Sequence, residues 1–289
     1  MRRVRPILLG VAGIVVLALL WEIYKALGPA SGVLVHGVTV LPRTSDLAMP
    51  HLFTMFTRLG QPVTAATDSP TLWLAVLNAA LFTLGIATVG WVIGVVVGML
   101  LALLMQRLRT AEAALLPWIV LSQTVPLIAL APLVAGIGNQ IRLGETRWES
   151  WMSVAVIASY LAFFPVSIGA LRGLEAPDVA HVELMHSYSV GWFKTLIHLR
   201  LPACVPYLLP ALRLAAVNAV VGTVVAEISI GLSGGVGRMM IEYASASSGD
   251  PGKPWAPIFG AIVIGLVAAG VVSLLGLALR RYRRGEVSV

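Results

Sequence analysis

Six stretches of the chain, at about 6–27, 74–105, 114–137, 152–172, 207–231 and 257–279, stay apolar long enough to cross a bilayer. A helix needs roughly 20 mostly apolar residues to traverse about 30 Å of hydrocarbon. Lipid offers no water to the backbone, so each spanning run must close its own N–H and C=O groups as a helix. The expected fold is an all-α membrane protein with about six transmembrane helices. Composition agrees, with 58% hydrophobic and 11% charged residues, where soluble domains carry about 25% charged. The first run follows MRRVR but continues through Trp21 with no small-residue cleavage site close behind, so it reads as an uncleaved span. The 74–105 run exceeds one crossing, which predicts tilt or an interfacial portion.

Basic residues orient such a chain. With the N-terminus inside, inner segments and span ends hold 13 of the 20 Lys and Arg residues, including Arg107, Arg109, Arg172, Lys194, Arg200 and Arg213. The seven on the outer side are offset by eight acids, among them Glu22, Asp46, Glu227 and Asp250. Both termini are therefore expected in the cytoplasm. The net charge of +7 follows from this asymmetry, and RRYRR at 280–284 reads as an anchor at anionic membrane lipid rather than a nucleic-acid patch. One cysteine, Cys204, excludes an intramolecular disulfide framework and a multi-cysteine metal site.

Three parts follow: an N-terminal span with an outer loop (1–73), a core of five spans (74–279), and a basic cytoplasmic tail (280–289). The outer loop contains an amphipathic patch, DLAMPHLFTMFTRL, that reads as lying along the surface. The large inner loop is 173–206. Within it Pro177 and Asp178 suit a first helical turn, and the helix can run to about Tyr188. A break at Ser189 to Gly191 follows, then a second short helix, WFKTLIHL, stopped by Pro202. Its apolar residues are too few to span and too many for a free loop, which describes a knob built to dock.

The spacing of Glu183, Ser189, Leu199, Leu201 and Pro202 resembles the E-A-A-x3-G-x9-I-x-L-P cytoplasmic loop of permease subunits of bacterial ABC importers. Leu184 and Met185 replace the two alanines, Ser189 the glycine and Leu199 the isoleucine, with Gly191 two residues beyond the turn. NAALFTLGIATVGWVIGVVVGMLLALLM, LLPWIVLSQTVPLIALAPLVAGIG, FFPVSIGALRGL and LPACVPYLLPALRLAAVNAVVGTVVAE follow the order of the nitrate, sulfonate and taurine type permeases. The resemblance covers about 74–279.

It implies a type I importer fold. The chain would pair with a second permease subunit, dock a cytoplasmic ATPase dimer that binds ATP and Mg, and receive substrate from an extracytoplasmic binding protein. The loop would then be a coupling-helix pair. Glu183 would make polar contacts near the ATPase, Ser189, Val190 and Gly191 would form the tip, and Trp192 and Phe193 would fill an apolar groove in the partner. Leu201 and Pro202 would set the exit angle into the fifth span.

Polar groups inside a membrane need partners and often carry function. Ser122, Gln123, Thr124 and Pro126 interrupt the third span, while Asn218 and Glu227 lie in the fifth. The resemblance makes these spans line the pathway, so Gln123, Thr124, Asn218 and Glu227 are the candidate contacts for substrate or gate. Gly90, Gly94 and Gly98 share one helix face and suit close helix packing. SGDPGKPW at 248–255 lacks the spacing of a phosphate loop, so no cofactor is expected in this chain itself.

A membrane enzyme would need a cluster of carboxylates, histidines or an activated serine at one membrane face, and none is legible. The alternative, a secondary transporter without an ATPase, would favour more spans or paired mid-membrane charges. Arg213, near the cytoplasmic end, is the one deep basic residue, which leans the expected substrate toward a neutral heterocycle of pyrimidine type over nitrate, sulfonate or taurine.

Overall fold

The computed structural model describes residues 5–35, 38–143 and 146–278, so the basic tail at 280–284 lies outside the described residues. The elements run α1 (Arg5–Leu27), β1 (Val33–Val35), β2 (Val38–Leu41), α2 (Leu52–Leu59), α3 (Leu72–Arg107), α4 (Arg109–Ser122) and α5 (Leu127–Gly138). Then come β3 (Arg142–Leu143), β4 (Thr146–Arg147), α6 (Ser150–Glu175), α7 (Val179–Ser187), α8 (Trp192–Thr195), a π-helical turn (Leu196–Arg200), α9 (Leu201–Ile230), α10 (Val236–Ser245) and α11 (Trp255–Ala278). The two pairs of strands are short antiparallel hairpins. Everything long is helical, as the lipid rule requires.

Among the described residues five helical stretches are long and apolar enough to span, and the third run is different: α4 and α5 meet at 105°. The single span expected at 114–137 is thus a broken pair. The cause is chemical. Pro126 has no N–H to give the Ser122 carbonyl and disfavours helical backbone in the residue before it. That carbonyl accepts instead from Val125 N (3.3 Å) and from the Tyr160 hydroxyl on α6. Ser122 and Thr124 also turn their hydroxyls back onto the backbone, to Ile119 O (2.7 Å) and Leu121 O (2.8 Å). By contrast α3 is one uninterrupted helix of 36 residues, about 54 Å at 1.5 Å per residue, longer than the roughly 30 Å of hydrocarbon.

The chain forms two compact units. The larger comprises Asn78–Met239 with the residues from Gly260 onward. At its centre is α6, whose most apolar stretch is 56% buried, compared with 0% for α1. Small residues let neighbours approach α6 closely, which matters in lipid, where apolar burial alone does not hold helices together. Gly90, Gly94 and Gly98 of α3 lie against Ala158, Ala162 and Val166. A Cβ added at Gly94 would stand 2.6 Å from that of Ala162, and one at Gly98 2.7 Å from Phe163 O. On the α9 side, Gly169 meets Ala211 and Gly173 meets Cys204. A polar tie also joins α3 to α9, from Trp91 Nε1 to Leu212 O (3.1 Å).

The smaller unit comprises the residues up to Leu77 with Met240–Phe259, so part of the second loop joins the N-terminal segment. Polar ties hold it together. At the end of α1, Trp21 Nε1 donates to Pro50 O (3.2 Å), Tyr24 to Pro42 O (3.0 Å), and Lys25 to Thr44 O (2.9 Å) and Asp46 (2.5 Å). The Lys25 ammonium draws the Asp46 carboxyl below its usual range. Arg58 pairs with Asp250 at 2.6 Å, and Lys253 donates to Val63 O (2.9 Å) while lying over the Tyr243 ring.

Candidate functional site

The connection from α6 to α9 forms the knob. Asp178 caps α7, its side chain accepting from Ala180 N (3.0 Å), and no residue of the helix is buried. Its far end closes in a two-bond cap: Ser189 N donates to His186 O (2.8 Å) and Val190 N to Met185 O (3.0 Å). That pattern requires a left-handed residue between them. Ser189 supplies it with φ +53°, the only non-glycine positive φ among the described residues. Glycine would be the natural occupant, because a Cβ in this region costs about 1–2 kcal/mol. Gly191, expected to ease the turn, has φ −67° and only precedes α8. The backbone demand falls on Ser189 alone.

The second helix does not stop at Pro202. Instead α8 passes through the π turn into α9, giving one apolar helical path from Trp192 to Ile230. A proline near a helix start is tolerated because its missing N–H falls among groups that lack partners there. The wider i→i+5 register of the π turn brings that situation to Pro202 inside a continuous path. Leu201 and Pro202 are half-buried in this continuation and set no sharp exit angle. Arg200 fastens the base of the loop by donating to Leu174 O (2.9 Å).

The two aromatics expected to act together face different surroundings. Trp192 packs against the cluster around Met105, Leu174 and Leu196. Its Nε1 donates to Gln106 (3.3 Å), and the Arg107 guanidinium lies 4.8 Å from its ring centre. Phe193 is 66% exposed, and Val179 and Leu184 of α7 and Tyr188 at its end are exposed as well. Only Phe193 of the pair is offered outward; Trp192 braces the knob on its own chain. Glu183 and Gly191 are exposed and Val190 half-buried.

The polar residues inside the spans are distributed more widely. Gln123 and Thr124 sit at the α4–α5 break, Thr124 exposed and Gln123 bonded to Ser122 Oγ (3.3 Å). Asn218 is half-buried and donates to Leu161 O on α6 (3.4 Å). Glu227, expected at the pathway or gate, is 0% exposed. The Thr83 hydroxyl donates to its carboxyl oxygens (2.8 and 3.1 Å) and accepts from Val236 N (2.9 Å), while Gly237 N donates to the same carboxyl (2.8 Å). Glu227 thus closes the start of α10, as a carboxyl at a helix N-terminus can, and in this conformation it presents nothing to a solute.

The geometry also brings in residues that the sequence reading passed over: Tyr160, Thr83, Gly235 and Gly237. A Cβ at Gly235 would collide with the Glu227 carboxyl, and one at Gly237 would come within 2.5 Å of Val224 O. The visible signal was the glycine-dense run GLSGGVG at 231–237, a turn beyond Glu227. Thr83 and Tyr160 carried no comparable sign.

A chain of spanning helices with a helical knob between two of them has the build of a type I ABC permease. Residues 94–284 match the family described as binding-protein-dependent transport system inner membrane component, and the chain belongs to that family. Among individual proteins it is similar to the formylaminopyrimidine transport permease protein ThiX of Halalkalibacterium halodurans, with 33% identity over 71% of this chain and 77% of that one. The putative aliphatic sulfonates transport permease protein SsuC of Bacillus subtilis is 28% identical over 68% of this chain and 67% of its own. Among solved structures, an amino acid ABC transporter with histidines superposes with a TM-score of 0.55 over 72% of this chain and 94% of its own. At 17% identity that likeness concerns the fold.

Proposed function

We propose that this chain forms the substrate pathway of an ATP-driven importer and takes up the work of a separate cytoplasmic ATPase dimer through residues 173–206. ATP and Mg are bound by that partner. A second permease subunit, identical or different, completes the pathway, and an extracytoplasmic binding protein delivers substrate. The termini and the α7–α8 knob face the cytoplasm. The observation that carries this reading is the knob itself: a capped helix with no buried residue, a left-handed tip at Ser189, and Phe193 held outward by a braced Trp192. Exposed aromatics of this kind are common anchors at protein interfaces. Glu183, exposed on α7, supplies a polar contact beside them.

For substrate, the reading favours a small heterocycle of pyrimidine type. Its support is the 33% likeness to a permease named for formylaminopyrimidine, together with the lack of a deep basic residue other than Arg213 in the sequence of the spans. Mild-detergent purification from native membranes, with mass spectrometry of co-purifying chains, tests the importer reading. An ATPase bearing a phosphate loop is the expected companion. A chain that emerges alone under several gentle conditions would point to a transporter without an ATPase.

A further inference from the structure

The smaller unit carries an apolar face that its own packing leaves open. Helix α2 buries Met55, at 1% exposure, yet leaves Phe53 78% and Phe56 57% exposed. At three residues apart, these two rings share a side of the helix. Thr54, about 100° round the helix from Phe53, is exposed as well. The apolar arc is therefore wider than the protein covers.

The position of α2 says what covers the rest. Its first turn is bound to the last turns of α1: Glu22 accepts from Leu52 N (2.7 Å), His51 Nδ1 lies 2.8 Å from the same carboxylate, and Trp21 donates to Pro50 O. None of the apolar stretch of α1 is buried, and Ile14, Leu17 and Leu20 stand 56–70% exposed. α1 is thus long and apolar enough to span with none of that stretch covered by this chain, and its end fixes the depth of α2. That depth is marked by aromatic rings. Trp21 meets Trp255 edge-on at 5.3 Å and Phe56 stacks on Phe259 at 5.1 Å, and tryptophans gather where hydrocarbon meets headgroups. An amphipathic helix fixed there, with aromatic side chains open, meets the conditions for lying in the interface plane.

We propose that α2 is an interfacial membrane helix, with Phe53 and the open edge of Phe56 seated among acyl chains just below the headgroups and Thr54 turned to water. The lipid-facing surface of α1 then continues onto α2. The seating holds whichever side of the membrane this end of α1 faces, so it is independent of the coupling assignment.

Nitroxide labels on single cysteines test it, in the full chain with whatever subunits co-purify, reconstituted in phosphatidylcholine–phosphatidylglycerol nanodiscs. The background is Cys204→Ala, since Cys204 is the sole native cysteine. A label at Phe53→Cys should collide with oxygen several-fold more than with the water-soluble complex Ni(II)-EDDA, and a label at Thr54→Cys should show the reverse. Equal Ni(II)-EDDA collision at both positions overturns the proposal. So does protection of the Phe53 label from Ni(II)-EDDA that appears only when a substrate-binding protein is added, because the face would then belong to that protein. A label at Ile14→Cys, within the α1 span, reports whether the nanodisc assembly itself is sound.

Discussion

Two helices in this protein end in the same left-handed turn with different residues. α9 ends in Gly231 at φ +76°, with Gly231 N and Leu232 N both donating to Glu227 O. α7 ends in Ser189 at φ +53°. The α9 end is enclosed: the Glu227 carboxyl, Thr83, Gly235 and Gly237 fill the space around it, and every one of those groups answers another. The α7 end is open, and Ser189 is exposed. At both turns φ is the demand on the residue itself, since a Cβ at Gly231 would meet only Arg238, at an ordinary 3.4 Å, and a serine meets that demand with a modest strain. Room is demanded of the residues after the α9 turn, Gly235 and Gly237. An enclosed turn thus restricts the residues packed against it as well as the one that bears its φ.

The largest test of that contrast is Glu227→Ala. It leaves Gly237 N and the Thr83 hydroxyl unanswered in a closed site, where each orphaned group costs about 1–3 kcal/mol. A clear drop in thermal unfolding temperature in detergent is expected, and an unchanged value would mean that water enters the α9–α10 turn freely. Next comes Phe193→Ala, which removes an exposed anchor. It should leave unfolding temperature unaltered and weaken retention of the co-purifying ATPase by about tenfold, the loss of a typical interface anchor of 1–2 kcal/mol. Trp192→Ala should lower both quantities, because its ring is built into the chain. The smallest effect belongs to Ser189→Gly, expected to raise unfolding temperature slightly through relief of about 1 kcal/mol of backbone strain. A fall on that substitution would show that the serine side chain has a stabilising role that outweighs its φ.

The spans were legible because lipid forces long apolar runs into helices, a rule that works on local composition. The interruption at Ser122 to Pro126 was also visible. Its 105° bend was not, because the side chain that bonds the Ser122 carbonyl at the bend, Tyr160, comes from 38 residues away. The surroundings of Glu227 were hidden for the same reason. An acid towards the outer end of a span suggests a pathway, and nothing in the sequence marks Thr83, 144 residues earlier in the chain, as its partner. The knob was readable in outline, since Pro177, Asp178 and the spacing to Pro202 mark its helices. Which neighbour of the turn bears the positive φ, and which of two adjacent aromatics faces inward, depends on rotation about helix axes that a residue pattern leaves open.

The π turn at Leu196–Arg200 has a consequence for phase. A π turn holds one residue more than an α turn, and each residue of an α-helix advances the side-chain direction by about 100°. The turn absorbs that extra residue: five residues in it carry the chain about as far round as four in an α-helix, so Phe193 and the buried face of α9 keep the angular relation that a helix one residue shorter would give them. Taking a single residue out of the turn would straighten the path into ordinary helix and leave Phe193 facing nearly the same way, whereas winding all the present residues as ordinary helix would swing it by roughly a quarter of a revolution. Angular alignment between the knob and the span is thus written in how the turn is wound rather than in any side chain.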